Sequence, residues 1–247
     1  MTAPGPASSH RSVPVSFVSR SRRLSDGQQR LWDEQQARYL VDVPRAAATT
    51  SVDPSFVLDL AAIPPGAGPV VVEIGSGQGE AVVAAASSRP GTRFVAVEVY
   101  EQGLAHTARR AAAAGVDNLR LVRANAPDVL ASALPEATAD EVWVFFPDPW
   151  RKSRHTKRRL VDGAFLPLAA RVLVDGGVLR FASDWEPYAE RVRDLLDGAA
   201  DFAPHGETTA DGWAPRFDGR VLTGFERKGT EAGRVVHDLA YIRSPRV

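Results

Sequence analysis

The sequence contains no cysteine, which excludes disulfide bonds, thiolate metal sites and a cysteine nucleophile. Its five histidines are scattered without the short spacings of metal ligands, so we expect no metal site. The longest apolar runs have the length of a strand and fall far short of the about 20 residues that a membrane helix needs. No charged segment followed by an apolar one opens the chain, as it would in a secretory signal. We therefore expect a cytoplasmic protein without a membrane anchor.

An excess of charge of one sign is also lacking, because 30 basic residues balance 30 acidic ones. Taken alone, this balance argues against a nucleic-acid partner. The charge is unevenly placed, however: residues 1–25 carry four arginines and no acid, and residues 151–159 carry six cations. Local fields rather than the total charge steer a polyanion. The distribution therefore favours a polyanionic partner.

A chain of 247 residues fits one α/β domain with a tail. Residues 1–50 are predicted to form a flexible basic N-terminal arm with a short helix within Leu24–Leu40, and residues 51–247 to form the domain. No internal repeat is found.

Strands and helices alternate from Val70 onward. The predicted strands are Val70–Ile74, Arg93–Glu98, Leu119–Ala124, Glu141–Phe146, Val178–Ala182 and Val235–Ile242. The predicted helices are Glu80–Ser87, Gln102–Ala114, Val129–Leu134, Lys157–Val174 and Pro187–Leu196. Units of this length indicate parallel strands joined by right-handed crossovers, which is a doubly wound α/β sheet. The last strand has no helix after it and is predicted to be an antiparallel edge.

A glycine-rich turn connects the first strand to the first helix in V-V-V-E-I-G-S-G-Q-G. Gly75, Gly77 and Gly79 permit positive φ angles and allow a ligand to lie against bare backbone. A dinucleotide fingerprint would place Gly or Ala at position 80, where Glu80 stands instead. A glutamate at a helix N-terminus repels a pyrophosphate, so the pattern indicates a cationic or zwitterionic ligand.

Two acidic residues accompany this turn. Glu73 adds negative charge before the first glycine, and Glu98 ends the second strand, where an acid accepts hydrogen bonds from ribose hydroxyls. These features resemble S-adenosylmethionine-dependent methyltransferases, in which the loop holds the methionine part and the second acid holds the ribose. A plain tight turn with a solvated strand end is the alternative.

The most informative segment is F-P-D-P-W-R-K-S-R-H-T-K-R-R, residues 146–159. It places one acid, Asp148, and one aromatic residue, Trp150, at the carboxyl end of a buried strand, where α/β sheets bind ligands. The cations that follow are typical of a polyanion site. The alternatives are a capped turn at Asp148, a core tryptophan and a solvated basic face.

This segment is similar to the signature of the bacterial tRNA (guanine-N7)-methyltransferases, the TrmB family. Four further segments fit the same family: Glu73–Gly79, Phe94–Glu98, Ser183–Tyr188, and Thr223–Glu226 followed by Val236–Tyr241. The amino-terminal residues Phe17–Arg20, Arg23-Leu24 and Gly27–Gln29 also look like that family. The similarity runs from about residue 15 to 243.

The resemblance implies a seven-stranded, mostly parallel, Rossmann-like methyltransferase sheet with an antiparallel C-terminal strand. It also implies transfer of a methyl group from S-adenosylmethionine to N7 of guanine 46 in the variable loop of tRNA, by a monomer or homodimer. Asp148 would be the catalytic residue. The cofactor contacts would be Glu73, Gly75, Gly77, Gly79, Glu98, Asn125 and Asp148. The substrate contacts would be Lys152, Asp184, Thr223, Gly224, Phe225 and Glu226. The basic run would add RNA contacts at Arg154, His155, Thr156, Lys157, Arg158 and Arg159.

Two residues depart from the family pattern. Asn125 stands where an acid is usual, and its amide can both donate to and accept from an adenine edge. Gly224 replaces a commonly basic residue, which removes one possible phosphate contact.

Three other functions compete with this one. The first is a methyltransferase that acts on an exocyclic amine of rRNA or on a protein, because D-P-W is similar to the D-P-P-[FY] loop of amino-methylating enzymes. The second is a nicotinamide-dependent oxidoreductase, against which Glu80 and the lack of a Tyr-x-x-x-Lys pair argue. The third is an RNA-binding module with a degenerate site, against which Glu73, Glu98 and Asp148 argue.

Overall fold

The first strand of the sheet, β1 (Val70–Ile74), is buried at every one of its five residues. Burial of both faces is expected for a central parallel strand whose sequence is almost continuously apolar. The structure is a computed structural model that describes residues 24–47 and 49–246. The amino-terminal part of the predicted arm, residues 1–23, lies outside the described residues.

Within the described residues, six further strands and seven α-helices accompany β1. The other strands are β2 (Arg93–Glu98), β3 (Leu119–Arg123), β4 (Ala139–Phe145), β5 (Leu173–Ser183), β6 (Phe202–Pro204) and β7 (His237–Arg243). The helices are α1 (Asp26–Tyr39), α2 (Glu80–Ser88), α3 (Glu101–Ala113), α4 (Ala126–Asp128), α5 (Phe165–Val172), α6 (Glu186–Asp197) and α7 (Gly224–Glu231). A π-helical turn at Val129–Ala133 continues α4, and a 3-10 helix covers Ser153–Arg158.

The seven strands form one sheet in the order β3-β2-β1-β4-β5-β7-β6. Strands β1 to β5 pair in parallel, whereas β7 runs antiparallel to both β5 and β6. The chain proceeds from β1 outward to β3 and then returns to the other side of β1 with β4. The predicted doubly wound sheet with an antiparallel C-terminal strand is confirmed. The prediction that this strand is an edge was wrong, because β6 pairs with its other side. The strand order reverses between β1 and β4, and such a point is where ligands bind in α/β sheets.

Helices cover both faces of the sheet. Side chains of α1, α2 and α3 pack with one face of the strands, including the buried Trp143 of β4. The other face packs against α5, α6 and the π-helical turn. This sandwich leaves the carboxyl edge of the five parallel strands accessible for loops that carry function.

Helix α1 is docked on the domain. Trp32 and Tyr39 are buried, and the Tyr39 hydroxyl donates a hydrogen bond to the Val116 carbonyl at 2.7 Å. Leu40 continues as an isolated bridge to Leu121 of β3. The helix predicted within residues 24–40 therefore exists and is part of the packed structure, while the arm before it stays a prediction.

One predicted helix was wrong in its extent. The segment 157–174 was expected to be helical throughout, but Arg159 is extended (ψ 137°) and α5 begins only at Phe165. The Asp162 carboxylate accepts hydrogen bonds from the Ala164 and Phe165 amides at 2.9 and 3.1 Å, which places the helix start there. The basic run is therefore a separate exposed turn rather than the first turn of α5.

Strand β5 begins at Leu173 rather than at the predicted Val178, and its register with β4 shifts between Ala139↔Leu173 and Glu141↔Val178. Two elements, β6 and α7, were not predicted from the sequence. Strand β6 has only three residues, and α7 has the largely polar sequence GFERKGTE, so neither shows a clear hydrophobic period.

Candidate active site

The predicted site residues follow the carboxyl ends of consecutive parallel strands. Across the sheet, the order is Asn125 after β3, Glu98 at the end of β2, the glycine turn 75–79 after β1, Asp148 after β4 and Asp184 after β5. Because parallel strands share one carboxyl edge, this order arranges the residues along a single crevice. Asp148 and the glycine turn flank the point at which the strand order reverses.

The glycine turn has the conformation that its sequence predicts. Gly75, Gly77 and Gly79 have φ angles of 74°, 55° and 73°, which side chains rarely adopt. A Cβ atom at Gly75 or Gly77 would meet nothing within 4 Å, whereas one at Gly79 would lie 2.4 Å from the Thr107 side chain. The first two glycines therefore present bare backbone to open space, and the third permits close packing of α2 on α3.

Glu73 is buried beneath this turn. Only 4% of the residue is exposed, and its Oε2 has no hydrogen-bond partner among the described residues. Burial, opposed by a hydrogen bond from the Val82 amide and reinforced by the Glu98 charge, raises the pKa of Glu73 to about 8. The sequence predicted an added negative charge here. Burial disfavours that charge, and the unpartnered Oε2 is available to a cationic ligand.

Glu98 fastens the glycine turn to β2. Its Oε2 accepts a hydrogen bond from the Gly77 amide at 2.9 Å, and its Oε1 accepts from the Val99 and Tyr100 amides at 2.7 and 2.9 Å. An ionised carboxylate offers about four acceptor positions, so capacity for about one further donor remains. Glu98 can therefore accept a hydroxyl of a ligand while holding the turn in place.

Asn125 also has an unused acceptor. Its backbone is fixed on both sides, because its amide donates to the Thr50 carbonyl at 2.7 Å and its carbonyl accepts from the Val129 amide at 3.1 Å. The residue is 5% exposed, and its side-chain Oδ1 has no partner among the described residues. A buried polar atom of this kind is costly unless a ligand satisfies it.

Asp148 lies in a strained turn. The bulky residues Phe146 and Trp150 on either side of it have positive φ angles of 51° and 40°. Such conformations cost on the order of 1–3 kcal/mol each and persist where the surroundings enforce them, frequently at functional sites. The Phe146 amide donates to the Ala182 carbonyl at 2.8 Å, which helps to hold the first of them. The turn leaves Asp148 exposed.

A cavity of about 600 Å³ lies between the glycine turn and the start of α7. It brings together six of the predicted residues, namely Glu73, Gly75, Gly77, Thr223, Gly224 and Phe225. Its lining also includes Ser76, Glu80, Phe145 and Phe146, which were not predicted to belong to the site. The lining does not include Gly79, Glu98, Asn125, Asp148, Lys152, Asp184 or Glu226.

Helix α7 presents Phe225 to this cavity. Thr223 caps the helix by accepting a hydrogen bond from the Glu226 amide at 3.1 Å. The Phe225 ring is 51% exposed and lies 5.2 Å from the Phe146 ring, centroid to centroid. The cavity therefore has an aromatic wall that can accept a planar group.

Glu226 points away from the cavity. The residue is 3% exposed, and its carboxylate accepts four hydrogen bonds of 3.0–3.3 Å from Arg216 and Arg220. Burial alone would raise the pKa of Glu226, but these hydrogen bonds and charges lower it. Arg220 also pairs with the buried Asp238 of β7. The Glu226 carboxylate is thus committed to fixing α7 on the sheet.

Asp184 is paired with a cation. Its side chain is 8% exposed and forms an ion pair with Arg234 at 2.8 Å. The Arg234 guanidinium also lies over the Phe225 ring at 5.7 Å. A base that binds Asp184 must therefore share or exchange this contact with Arg234.

The basic turn divides into supported and exposed cations. Arg158 lies over the Trp150 ring at 5.0 Å, and Arg159 lies over Tyr188 at 4.7 Å and donates to the Pro149 carbonyl at 2.8 Å. His155 packs edge-on against Trp150, and Thr156 donates to the Ser153 carbonyl. Four cations of this turn are exposed: Arg151, Lys152, Arg154 and Lys157. Of these, Arg151 lies over the Trp185 ring at 4.3 Å.

Some of the site residues that were not predicted have a signal in the local sequence, and others have none. Ser76 lies between two glycines of the turn, and its buried Oγ has no partner among the described residues, so its position was visible in the motif. Arg216, Arg220 and Arg234 act through contacts with acids up to 50 residues away in sequence. No local pattern indicates such pairs.

Within residues 24–47 and 49–246, no helix is long and apolar enough to cross a membrane. In the same ranges, no three side chains of His, Asp or Glu are grouped so that they could hold a metal ion.

Comparison with known proteins identifies related sequences along most of the chain. A family model described as “Putative methyltransferase” matches residues 67–239. The tRNA (guanine-N(7)-)-methyltransferase of Paenarthrobacter aurescens is 44% identical over 92% of this chain and 91% of its own length. The protein of the same name from Halorhodospira halophila is 40% identical over 93% and 94%.

Solved structures share the fold at low sequence identity. The antibiotic-resistance methyltransferase Kmr superposes with a TM-score of 0.51 at 22% identity, over 83% of this chain and 99% of that one. TrmN from Thermus thermophilus gives 0.51 at 17% identity, over 87% and 48%. These neighbours agree with the Rossmann-like sheet, and the sequence relatives are specific enough to assign the family. The chain belongs to the tRNA (guanine-N(7)-)-methyltransferase family.

Proposed function

We propose that this protein transfers a methyl group from S-adenosylmethionine to N7 of a guanine in tRNA, and that the target is guanine 46 of the variable loop, as is typical of the family. The observation that carries the proposal is one juxtaposition at the point where the strand order reverses. There the glycine turn after β1 and the aromatic wall at Phe225 line one cavity, and the loop that carries Asp148 and the basic turn follows the neighbouring strand β4. A methyl donor and a nucleic acid can meet at this place.

The carboxyl edge offers matching groups for S-adenosylmethionine, which supplies an electrophilic methyl group on a sulfonium. The unpartnered Glu73 oxygen suits an ammonium group, and the bare backbone of Gly75 and Gly77 suits close approach of the methionine part. The remaining acceptor capacity of Glu98 suits a ribose hydroxyl, and the unpartnered Asn125 oxygen suits an amino group of adenine.

The chemistry at guanine N7 needs no general base, because this nitrogen has a lone pair and no proton at neutral pH. Most of the rate enhancement is then expected from positioning of the two reactants. Positive charge moves onto the purine as the bond forms, and a fixed carboxylate stabilises it. Asp148 is the candidate, since it is exposed and lies in a strained turn that follows β4, next to the point where the strand order reverses.

Recognition of guanine is assigned to the β5 side of the crevice. The Watson–Crick edge of guanine presents two donors, which the Asp184 carboxylate accepts after the base shares the contact with Arg234. A base engaged in tertiary pairing must be extruded to reach this pocket. Phe225 and Phe146 provide the stacking surface for it.

The exposed cations of the basic turn contact phosphates and fix the register of the RNA without reading its sequence. Lys152, Arg154 and Lys157 are exposed, which supports this role, while Arg158 lies over Trp150 and Arg159 over Tyr188. We further propose that the enzyme works in the cytoplasm as a monomer or homodimer and that the basic arm before α1 adds phosphate contacts.

The proposal is tested by incubating the protein with S-adenosylmethionine, labelled in the methyl group, and bulk tRNA that lacks 7-methylguanosine. Labelled 7-methylguanosine is expected after nuclease digestion, and an Asp148→Ala preparation provides the matched inactive control. Label in another nucleoside, in rRNA or in protein would instead support a methyltransferase of different substrate. No label in any acceptor would contradict the proposal.

A further inference from the structure

Glu80, the first residue of α2, connects three helices through one carboxylate. Its Oε2 accepts a hydrogen bond from the Gly224 amide, the first residue of α7, at 2.6 Å. Its Oε1 pairs with Arg110 of α3 at 3.0 Å. Glu80 follows the glycine turn directly, and Gly224 belongs to the wall that carries Phe225. One side chain therefore connects the glycine turn, on the proposed cofactor side of the cavity, to the start of α7, on the proposed RNA side.

Helix α7 depends on such polar anchors because it buries little. Only Glu226 and Gly229 of its eight residues are buried, and Glu226 is held by arginines rather than by apolar packing. The first amides of a helix lack partners within the helix and favour a nearby negative charge. Thr223 satisfies the Glu226 amide, and Glu80 satisfies the Gly224 amide from 144 residues away in sequence.

The geometry at Gly224 suits this contact. A Cβ atom at this position would lie 3.6 and 3.7 Å from the two Glu80 oxygens, which is ordinary contact distance. The contact between the Gly224 amide and Glu80 therefore does not depend on the absence of a side chain at this position. The Arg110 pair fixes the other oxygen, so the side chain is held in the orientation that faces α7.

We propose that Glu80 is a positioning residue for methyl transfer, which holds the segment Thr223–Phe225 at a fixed distance from the glycine turn. From the sequence alone, Glu80 only disfavours a pyrophosphate ligand. In the structure its carboxylate has a partner in the segment Thr223–Phe225, namely the Gly224 amide. The inference rests on the proposed function, since it assigns the RNA side of the reaction to that wall. Glu80 itself need not touch either reactant.

The first test compares Glu80→Ala with Glu80→Gln in steady-state methylation of tRNA. Loss of a hydrogen bond to a charged group corresponds to roughly 10–100-fold in rate, so Glu80→Ala should lower kcat/KM for tRNA by about that factor. Its dissociation constant for S-adenosylmethionine should stay within about twofold. Glu80→Gln keeps an acceptor oxygen for the Gly224 amide and should recover most of the activity.

Two controls separate this effect from general loss of charge. Glu136, in the turn before β4, also pairs with an arginine, Arg246, at 3.6 Å. Glu136→Ala should therefore remove a comparable ion pair and leave kcat/KM unchanged. Arg110→Ala removes the supporting ion pair alone and should cost less than Glu80→Ala. Unchanged kcat/KM in Glu80→Ala, or equal losses in Glu80→Ala and Glu80→Gln, would overturn the inference.

Amide hydrogen exchange provides a measurement that does not require activity. The segment 221–228 should exchange faster in Glu80→Ala than in the unmodified protein, with peptides of β1 and β4 unchanged. Equal exchange of the segment in both proteins would refute the contact. If the unmodified protein fails to methylate tRNA but the exchange difference appears, the proposed function fails while the Glu80 contact stands.

Discussion

Replacement of Glu73 by glutamine has an effect on stability whose sign and size follow from burial. The pKa of this carboxyl is raised from 4.5 to about 8, chiefly because burial disfavours its charged form. Between pH 4.5 and 8 the unfolded chain therefore carries an ionised Glu73 while the folded protein keeps the proton. The contribution of Glu73 to the free energy of unfolding is fully present below its pKa in the unfolded chain. It is lost as the pH rises through its pKa in the folded protein.

The size of the effect is on the order of a few kcal/mol, because each pKa unit corresponds to about 1.4 kcal/mol. Glutamine is neutral in both states and removes this loss. The free energy of unfolding of Glu73→Gln, relative to the unmodified protein, should therefore increase from pH 5 to pH 8. Urea denaturation at pH 5, 6.5 and 8 measures the difference, and Glu136→Gln, at an exposed glutamate, is the matched control.

Binding of the cofactor supplies a second readout for the same residue. An ammonium group placed against the Glu73 oxygen favours the ionised carboxylate, so binding should release a proton below pH 8. Calorimetry in buffers of different ionisation enthalpy measures this release, which Glu73→Gln should abolish together with much of the affinity. Identical pH dependence of stability and identical proton release in both proteins would refute the assignment.

Three further predictions concern the rest of the site. Asp148→Ala should lower kcat by at least about 100-fold with folding intact, because a fixed electrostatic group is removed; near-normal turnover would exclude its role. Arg220→Met should reduce the free energy of unfolding at pH 7 by about 3–5 kcal/mol, since the Glu226 carboxylate loses a buried cationic partner. The pKa of Glu226 is lowered in the folded protein, so this penalty, measured in urea, should shrink as the pH falls through that pKa. Replacement of both Arg154 and Lys157 by glutamate should remove tRNA binding and leave S-adenosylmethionine binding intact. The slope of log K for tRNA against log salt should flatten by roughly 0.7–0.9 for each lost phosphate contact. Unchanged tRNA affinity would show that the turn is only a solvated face.

Local signals explain which parts of the fold were predictable from the sequence. The strand Val70–Ile74 and the glycines after it were predicted at the observed positions, because an apolar run and a need for positive φ are properties of neighbouring residues. The start of α5 was not, since it depends on where the Asp162 side chain finds free amides. Helix α7 was missed because its sequence shows no clear hydrophobic period, and its Glu80 anchor lies 144 residues away in sequence.

The same distinction applies to the site. Glu98 was placed correctly at the end of its strand, but its three backbone hydrogen bonds and its link to the glycine turn follow only from the folded chain. The raised pKa of Glu73 was not predicted, because burial is a tertiary property. The substrate contact that the resemblance implied for Glu226 stays a prediction, although its carboxylate is bound by Arg216 and Arg220.

The measurement that tests the central claim most directly is methyl transfer to a single unmodified tRNA transcript, followed by mapping of the methylated nucleotide. Two transcripts, one with guanine and one with adenine at position 46, make a matched pair. The account predicts one 7-methylguanosine for each guanine-bearing transcript, at position 46, and no product from the other. Equal methylation of both transcripts, or a methyl group on an atom other than N7, would contradict it.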